Sequence, residues 1–138
     1  IESLKELNHK IIFPIHPRTK NKIETSKSID LNHIEIIDPV DYKFFVELIQ
    51  KSKFIISDSG GLQEESMILR KPLLIPRKYT ERPEMLDIFN LLTFDTKILV
   101  KEATSLINGS SKLLETVNNS PLLYGEDEVI EEIINTIK

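Results

Sequence analysis

The apolar residues of this chain fall into short runs, separated by longer stretches in which they recur at helical spacing. Short apolar runs bounded by polar residues or proline are typical of buried parallel strands. Alternating strands and helices imply a parallel sheet covered by helices on both faces, which is a Rossmann-like α/β fold. Strands are predicted at residues 10–15, 34–37, 54–57, 71–76 and 91–94.

The stretches between these strands carry apolar residues three and four positions apart, the period of a helix. Asp41 and Asp95 precede two of them and are typical N-cap residues. Helices are predicted at residues 1–7, 21–31, 40–52, 62–69, 83–86, 95–107, 112–117 and 127–137. The apolar stripe of the third helix is expected to be mostly core and consists of Tyr42, Phe45, Leu48 and Ile49.

The sequence Ser-Asp-Ser-Gly-Gly at residues 57–61, here called the glycine segment, joins the third strand to the helix predicted from Leu62. Asp58 and Ser59 suit an N-cap, and glycines admit backbone conformations that other residues avoid. A strand running through such a turn into a helix presents unpaired N–H groups and the positive end of the helix dipole, which together favour phosphate. Glu65 could accept hydrogen bonds from sugar hydroxyls beside it. The alternative is an ordinary connection in which Gly-Gly only breaks the pattern.

A polar cluster at residues 16–20 follows the first strand. Ligands bind at the carboxyl edge of open parallel sheets, so this position favours a functional role. His16 could contact a phosphate or transfer a proton, and Arg18 could pair with an anionic ligand. Alternatively, Arg18 begins a solvated loop and helix, and His16 merely ends the strand.

A second polar cluster, residues 77–84, follows the fourth strand, and its first six residues, 77–82, are here called the arginine segment. Arg77 and Arg82 could clamp a pyrophosphate or a sugar. Alternatively, Thr80 caps a short helix that has Pro83 in its first turn. The two interpretations are compatible with each other.

Composition narrows the class of protein. A length of 138 residues corresponds to about one domain, and contents of 40% hydrophobic and 29% charged residues are those of a soluble globular protein. The net charge of −4 argues against nucleic acid as a partner, and no apolar run is long enough to span a membrane. The absence of cysteine fits a cytoplasmic protein, and the three histidines lack metal-ligand spacing. Because the chain does not start with Met, we expect it to be a piece of a longer protein.

Three motifs, FPIHPRTK, SDSGGLQEE and PRKYTERPE, together resemble the UDP-N-acetylglucosamine 2-epimerase family. The resemblance implies a GT-B architecture, in which two Rossmann-like domains face each other across a cleft. Residues 1–138 would then form a single UDP-sugar-binding domain, the C-terminal half of that architecture without its first strand. The sequence departs from the family after the last motif, where MLDIFNLLTF stands, and at Ser66-Met67 after the paired glutamates.

The resemblance also implies a role for individual residues. Ser59, Gly60 and Gly61 would hold the UDP diphosphate, and Glu65 would bind the ribose hydroxyls. Phe45 would lie beside the uracil, and His16 would be the catalytic histidine of the cleft. The residues implied to reach the phosphates and the amino sugar are Thr80, Glu81 and Arg82.

The implied activity interconverts UDP-N-acetylglucosamine and UDP-N-acetylmannosamine by eliminating UDP and adding it back. Three alternatives stay open: a hydrolysing 2-epimerase that releases N-acetylmannosamine and UDP, a GT-B glycosyltransferase, and a non-catalytic UDP-binding module. The expected ligand is UDP-N-acetylglucosamine or UDP, with no cofactor, metal, nucleic acid or membrane. The full-length protein is expected to be a cytoplasmic homodimer, and this chain alone is expected to be inactive.

Overall fold

The computed structural model describes residues 2–25 and 32–124 of the chain. A 3-10 helix at Glu2–Leu7 opens the structure, and a second one at Pro83–Met85 precedes the last strand. The strands are β1 (Ile11–Pro14), β2 (Ile34–Ile37), β3 (Ile55–Ile56), β4 (Leu73–Ile75) and β5 (Asn90–Leu92). The helices are α1 (Pro17–Thr25), α2 (Tyr42–Lys51), α3 (Gly60–Ile68), α4 (Thr96–Ile107) and α5 (Lys112–Asn119).

All the strand pairs of the described residues are parallel, as the alternation of strands and helices predicts. The strands form two sheets, one of order β1-β2 and one of order β3-β4-β5. In a doubly wound sheet of order 3-2-1-4-5-6, the first strand lies in the middle. If β1 and β2 are the second and third strands of that order, the two sheets meet where the first strand belongs. The division into two sheets therefore agrees with the expectation that this domain lacks its first strand.

Strand β4 is the centre of the hydrophobic core. Its three residues are fully buried, because β3 and β5 pair with it on either side and helices cover it. The core cluster continues through Met67 of α3, through α4 and α5, and into Leu4 and Leu7 of the first 3-10 helix. That helix packs on α4 and so ties the start of the chain to the three-stranded sheet.

Helix starts follow the predicted capping chemistry at two positions. The Asp41 carboxylate accepts a hydrogen bond from the Phe44 N–H at the start of α2, and the Asp95 carboxylate accepts from Lys97 and Ile98 at the start of α4. Both bonds satisfy N–H groups that have no partner within the helix.

The structure corrects several predicted elements. Helix α1 begins at Pro17, four residues earlier than expected, because proline is well suited to the first turn of a helix. Tyr42 is 67% exposed and does not belong to the core stripe of α2, whereas Ile49 is buried. Strand β2, by contrast, has the bounds predicted from the sequence. The predicted helix at 127–137 lies outside the described residues.

The core assignment predicts a large difference between two phenylalanines. Phe89 is fully buried and Phe94 is 68% exposed, with its ring 5.2 Å from the Lys78 ammonium. Phe89→Ala should lower the free energy of unfolding by about 3–5 kcal/mol, because it leaves a cavity. Phe94→Ala should cost less than about 1 kcal/mol, the value of an exposed cation–π contact. Urea denaturation of both variants tests this, and equal costs would contradict the placement of the core.

Candidate functional site

The glycine segment differs from its predicted conformation. Helix α3 begins at Gly60, so both glycines belong to its first turn, and neither has a positive φ. The prediction that they adopt conformations closed to other residues is therefore wrong. Their effect is steric, because two residues without side chains leave the first turn of the helix uncovered. A Cβ atom added at Gly61 would meet nothing within 4 Å.

Ser59 is the N-cap residue of α3, as predicted, but its hydroxyl caps none of the helix N–H groups. In α2, α4 and α5, by contrast, the side chains of Asp41, Asp95 and Ser111 accept hydrogen bonds from N–H groups of the first turn. The start of α3 thus combines an unused N-cap hydroxyl with two first-turn residues, Gly60 and Gly61, that carry no side chain. This is the arrangement in which helix N–H groups and the helix dipole can act on an external anion.

Parallel pairing brings the arginine segment to this helix start, since the carboxyl ends of β3 and β4 lie at the same edge of one sheet. The Arg77 Nε lies 4.0 Å from Asp58 Oδ2, and its Nη1 lies 3.1 Å from Glu81 Oε1. The Glu81 Oε2 lies 3.5 Å from the position that a Cβ of Gly60 would take. Arg77 and Glu81 therefore border the uncovered turn of α3.

Arg82 is held by a different part of α3. Its Nε and Nη2 both donate to Glu64 Oε1, at 2.8 and 2.5 Å. The hydrogen bonds and charge of Glu64 raise the pKa of Arg82 above its ordinary value. The arginine predicted to reach a phosphate is thus already paired with a carboxylate one helical turn after Gly60, and Arg77 lies closer to the helix start.

Glu81 carries a negative charge at this edge. A hydrogen bond from its own backbone N–H, helped by Arg77 and Arg82, lowers the pKa of Glu81 below its usual value. A lowered carboxyl pKa favours the folded state above the ordinary pKa, and this contribution disappears as the pH falls through the lowered value. Glu81 is therefore ionised at neutral pH and competes with any anion for Arg77.

Thr80 does not cap the following 3-10 helix. Arg82 is its N-cap residue, and the Thr80 Oγ1 instead donates to Gln63 Oε1 at 2.6 Å and accepts from the Arg82 N–H at 3.1 Å. Gln63 is fully buried on the inner face of α3. Gln63 was not among the residues predicted for the site; its signal in the sequence is a glutamine between Leu62 and Met67 on the apolar side of the helix.

The remaining predicted site residues lie on other elements or further along α3. Glu65 follows Gly61 by one helical turn on the same face of α3 and is half-buried. His16 is exposed after β1, where its backbone carbonyl accepts from Thr19 and Lys20 at the start of α1. Phe45 is half-buried in α2. His16 and Phe45 take no part in the hydrogen bonds that join α3 to the arginine segment.

A surface pocket of about 320 Å³ is lined by residues 77–81. A larger one, of about 480 Å³, lies between α4 and α5 at residues 109–118, away from the helix start. We assign the site to the smaller pocket, because it adjoins the uncovered turn of α3 and is lined by two cationic side chains, Arg77 and Lys78. Within residues 2–25 and 32–124, no three His, Asp or Glu side chains are grouped so that they could hold a metal ion. None of the helices described is both long and apolar enough to cross a membrane.

The parallel sheets, their covering helices and the candidate anion site at the start of α3 define a Rossmann-like fold, the class to which nucleotide-binding domains belong. The family described as UDP-N-acetylglucosamine 2-epimerase matches residues 1–138. The chain therefore belongs to the UDP-N-acetylglucosamine 2-epimerase family, as the three motifs indicate.

Individual relatives agree with this assignment. The chain is 36% identical over 138 residues to the UDP-N-acetylglucosamine 2-epimerase of Methanococcus maripaludis, a match that covers 96% of this chain and 36% of that protein. The structure of Methanocaldococcus jannaschii UDP-GlcNAc 2-epimerase in complex with UDP-GlcNAc and UDP is similar with a TM-score of 0.75 and 32% identity, over 99% of this chain and 37% of that one. For the Neisseria meningitidis enzyme bound to UDP-GlcNAc, the TM-score is 0.71 at 31% identity, over 98% and 40% of the two chains.

The chain spans about a third of the length of the curated relatives that it matches. The neighbouring structures are likewise covered over 37–40% of their length. The expectation that these residues correspond to a part of a longer enzyme agrees with that coverage.

The unused hydroxyl at the start of α3 gives a prediction about stability. Ser59→Ala should change the free energy of unfolding by less than about 0.5 kcal/mol, because it removes no capping bond. Asp95→Ala removes bonds to two N–H groups and should cost about 1 kcal/mol. Thermal or urea unfolding of the two variants provides the comparison. A loss in Ser59→Ala as large as that in Asp95→Ala would show that the hydroxyl caps α3 after all.

Proposed function

We propose that this chain is the UDP-binding part of a UDP-N-acetylglucosamine 2-epimerase and that it takes UDP or UDP-N-acetylglucosamine as ligand. The observation that carries the proposal is the uncovered first turn of α3, with the unused Ser59 hydroxyl in front of it and Arg77 beside it. Structural neighbours belonging to the same family contain UDP or UDP-GlcNAc.

The proposed contacts follow the geometry of α3. Ser59, Gly60 and Gly61 bind the diphosphate through the hydroxyl and the N–H groups of the first turn. Glu65 lies one turn further on the face of Gly61, which suits a carboxylate that accepts hydrogen bonds from ribose hydroxyls. Phe45 is assigned to the uracil by family resemblance alone.

The arginine segment is assigned to the outer phosphate and the amino sugar through Thr80, Glu81 and Arg82. Both arginines are paired with carboxylates, Arg77 with Asp58 and Glu81, and Arg82 with Glu64. A diphosphate must therefore displace existing partners, and the net gain from each new ion pair is small. Weak binding of UDP by this chain alone is the expected result.

Elimination of UDP needs a base that removes a weakly acidic proton and a site that stabilises the leaving diphosphate. The start of α3 supports the second role. His16 is the proposed catalytic residue of this chain, because it lies exposed at the carboxyl end of β1, the edge at which parallel sheets bind ligands. A hydrolysing enzyme would use the same diphosphate site, so epimerisation with return of UDP and hydrolysis with release of N-acetylmannosamine share this part of the mechanism.

Residues 1–138 are proposed to act as a single UDP-sugar-binding domain. The longer protein is proposed to be a cytoplasmic homodimer that uses neither nucleic acid nor a cofactor. The net charge of −4 and the absence of cysteine support the exclusion of nucleic acid and the cytoplasmic location. The homodimer rests on family resemblance.

Titration with UDP, followed by calorimetry or NMR, tests the binding site. Ser59→Ala and Glu65→Ala should each raise the Kd about tenfold or more, since each removes a hydrogen bond that involves a charged group. For Ser59 this group is the diphosphate, and for Glu65 it is the carboxylate that binds the ribose. Ser110→Ala and Glu115→Ala are matched controls, because they remove the same side chains from exposed positions elsewhere. An unchanged Kd in both site variants, or no binding of millimolar UDP by the folded chain, would contradict the proposal.

Turnover by the chain alone is a separate test. We expect no conversion of UDP-N-acetylglucosamine to UDP-N-acetylmannosamine or to free N-acetylmannosamine, because the chain corresponds to about a third of the enzymes it resembles. The measurement is NMR of the sugar anomeric protons during prolonged incubation with substrate. Conversion above the rate seen with a His16→Ala variant would show that this chain carries a complete active site.

A further inference from the structure

A buried glutamine connects the two halves of the proposed diphosphate site. Gln63 is 1% exposed and lies in α3, three residues after Gly60. Its Oε1 accepts hydrogen bonds from Thr80 Oγ1 at 2.6 Å and from Asn90 Nδ2 at 3.3 Å. One buried oxygen therefore joins α3 to the arginine segment and to the first residue of β5.

The network of hydrogen bonds continues from Thr80 to Arg82. The Thr80 hydroxyl, fixed as a donor to Gln63, accepts from the Arg82 N–H at 3.1 Å. The Arg82 side chain then returns to α3 and donates to Glu64, the neighbour of Gln63. The arginine segment is thus fastened to α3 from the inside by Gln63 and from the outside by Glu64.

Asn90 indicates that this network is more than packing. Its side chain is fully buried, and its Oδ1 has no hydrogen-bond partner in the described part of the chain. An unsatisfied buried acceptor costs stability that an apolar residue in β5 would not. What the asparagine side chain provides is a donor to Gln63 and a contact of 3.5 Å with Met85 Sδ, both of which fix the orientation of the buried amide.

We propose that Gln63 is a positioning residue of the diphosphate site, which acts through Thr80 and sets the distance between the uncovered turn of α3 and the arginine segment. This deepens the proposed function and rests on it. Gln63 is buried beneath the surface and has no access to a ligand, so its effect on binding is indirect. Because hydrogen bonds in a low-dielectric interior are strong and directional, a shared acceptor can hold two chain segments in register.

The first test measures position without any ligand. The variants are Gln63→Met, which removes the buried acceptor, and Thr80→Val, which removes the hydroxyl at similar volume. The readout is the exchange rate of the Arg82 Nε–H by NMR, a group bonded to Glu64 that neither substitution touches. We expect exchange to accelerate about tenfold in both variants, as the arginine segment separates from α3. An unchanged rate in Gln63→Met would overturn the proposal.

The second test measures the Kd for UDP. Gln63→Met and Thr80→Val should each raise it about tenfold, and adding Gln63→Met to Thr80→Val should have no further effect, because Gln63 acts through the Thr80 hydroxyl. Thr80→Ser keeps the hydroxyl and should restore the affinity. A further rise in Kd on adding Gln63→Met to Thr80→Val would show that Gln63 acts independently of Thr80 and would contradict the proposal.

Thr116→Val is the matched control for loss of stability. Thr116 is half-buried like Thr80, and its hydroxyl donates to the carbonyls of Ile88 and Leu113, away from α3. Thr116→Val should lower the Tm and leave both the Arg82 exchange rate and the Kd for UDP unchanged. A rise in Kd as large as that in Gln63→Met would show that Gln63 has only a structural role. If the unmodified chain binds no UDP, the proposed function fails, while the exchange rates of Arg82 still decide whether Gln63 positions the segment.

Discussion

The parallel pairing of β3 with β4 is the constraint on which the site depends. It places the end of each strand at one edge of the sheet, so that the glycine segment and the arginine segment meet although 15 residues lie between Gly61 and Arg77 in sequence. Full burial of β4 stabilises that pairing, since all three of its residues, Leu73, Leu74 and Ile75, are packed in the core. The strength of the core and the geometry of the site therefore have the same origin.

The division of the strands into two sheets separates the proposed anion site from the proposed catalytic histidine. The three-stranded sheet carries the core and the edge proposed to bind the diphosphate, whereas β1 and β2 pair only with each other in the described structure. His16 follows β1 and belongs to the smaller sheet. A first strand placed between β1 and β3 would fix the position of His16 relative to the start of α3. The anion-binding part of the proposed mechanism is thus built within one sheet, and its proton-transfer part depends on how the two sheets are joined.

Sequence patterns predicted the order of the elements because period and capping are local properties. The five strands and the caps Asp41 and Asp95 were predicted correctly. The glycine conformation was not, since Gly-Gly is compatible with both a turn and a helix start, and tertiary packing decides between them. The partners of Thr80 and Arg82 were also missed. Each is paired with a side chain 17 or 18 positions away, and no local pattern encodes such a contact.

The ion pairs of the site explain how an edge with several carboxylates can still serve an anion. Arg77 is bordered by Asp58 and Glu81, and Arg82 is bonded to Glu64, so that each cation is held in place before a ligand arrives. Preordered side chains lose less conformational entropy on binding, which offsets part of the energy needed to exchange partners. The Ser59 hydroxyl, by contrast, bonds to none of the helix N–H groups, so it does not compete with a ligand for them. In the proposed function, the start of α3 supplies the constant part of diphosphate recognition, and the arginine segment responds to what is attached to the diphosphate. Such a division suits a reaction in which the same UDP must be held both with and without its sugar.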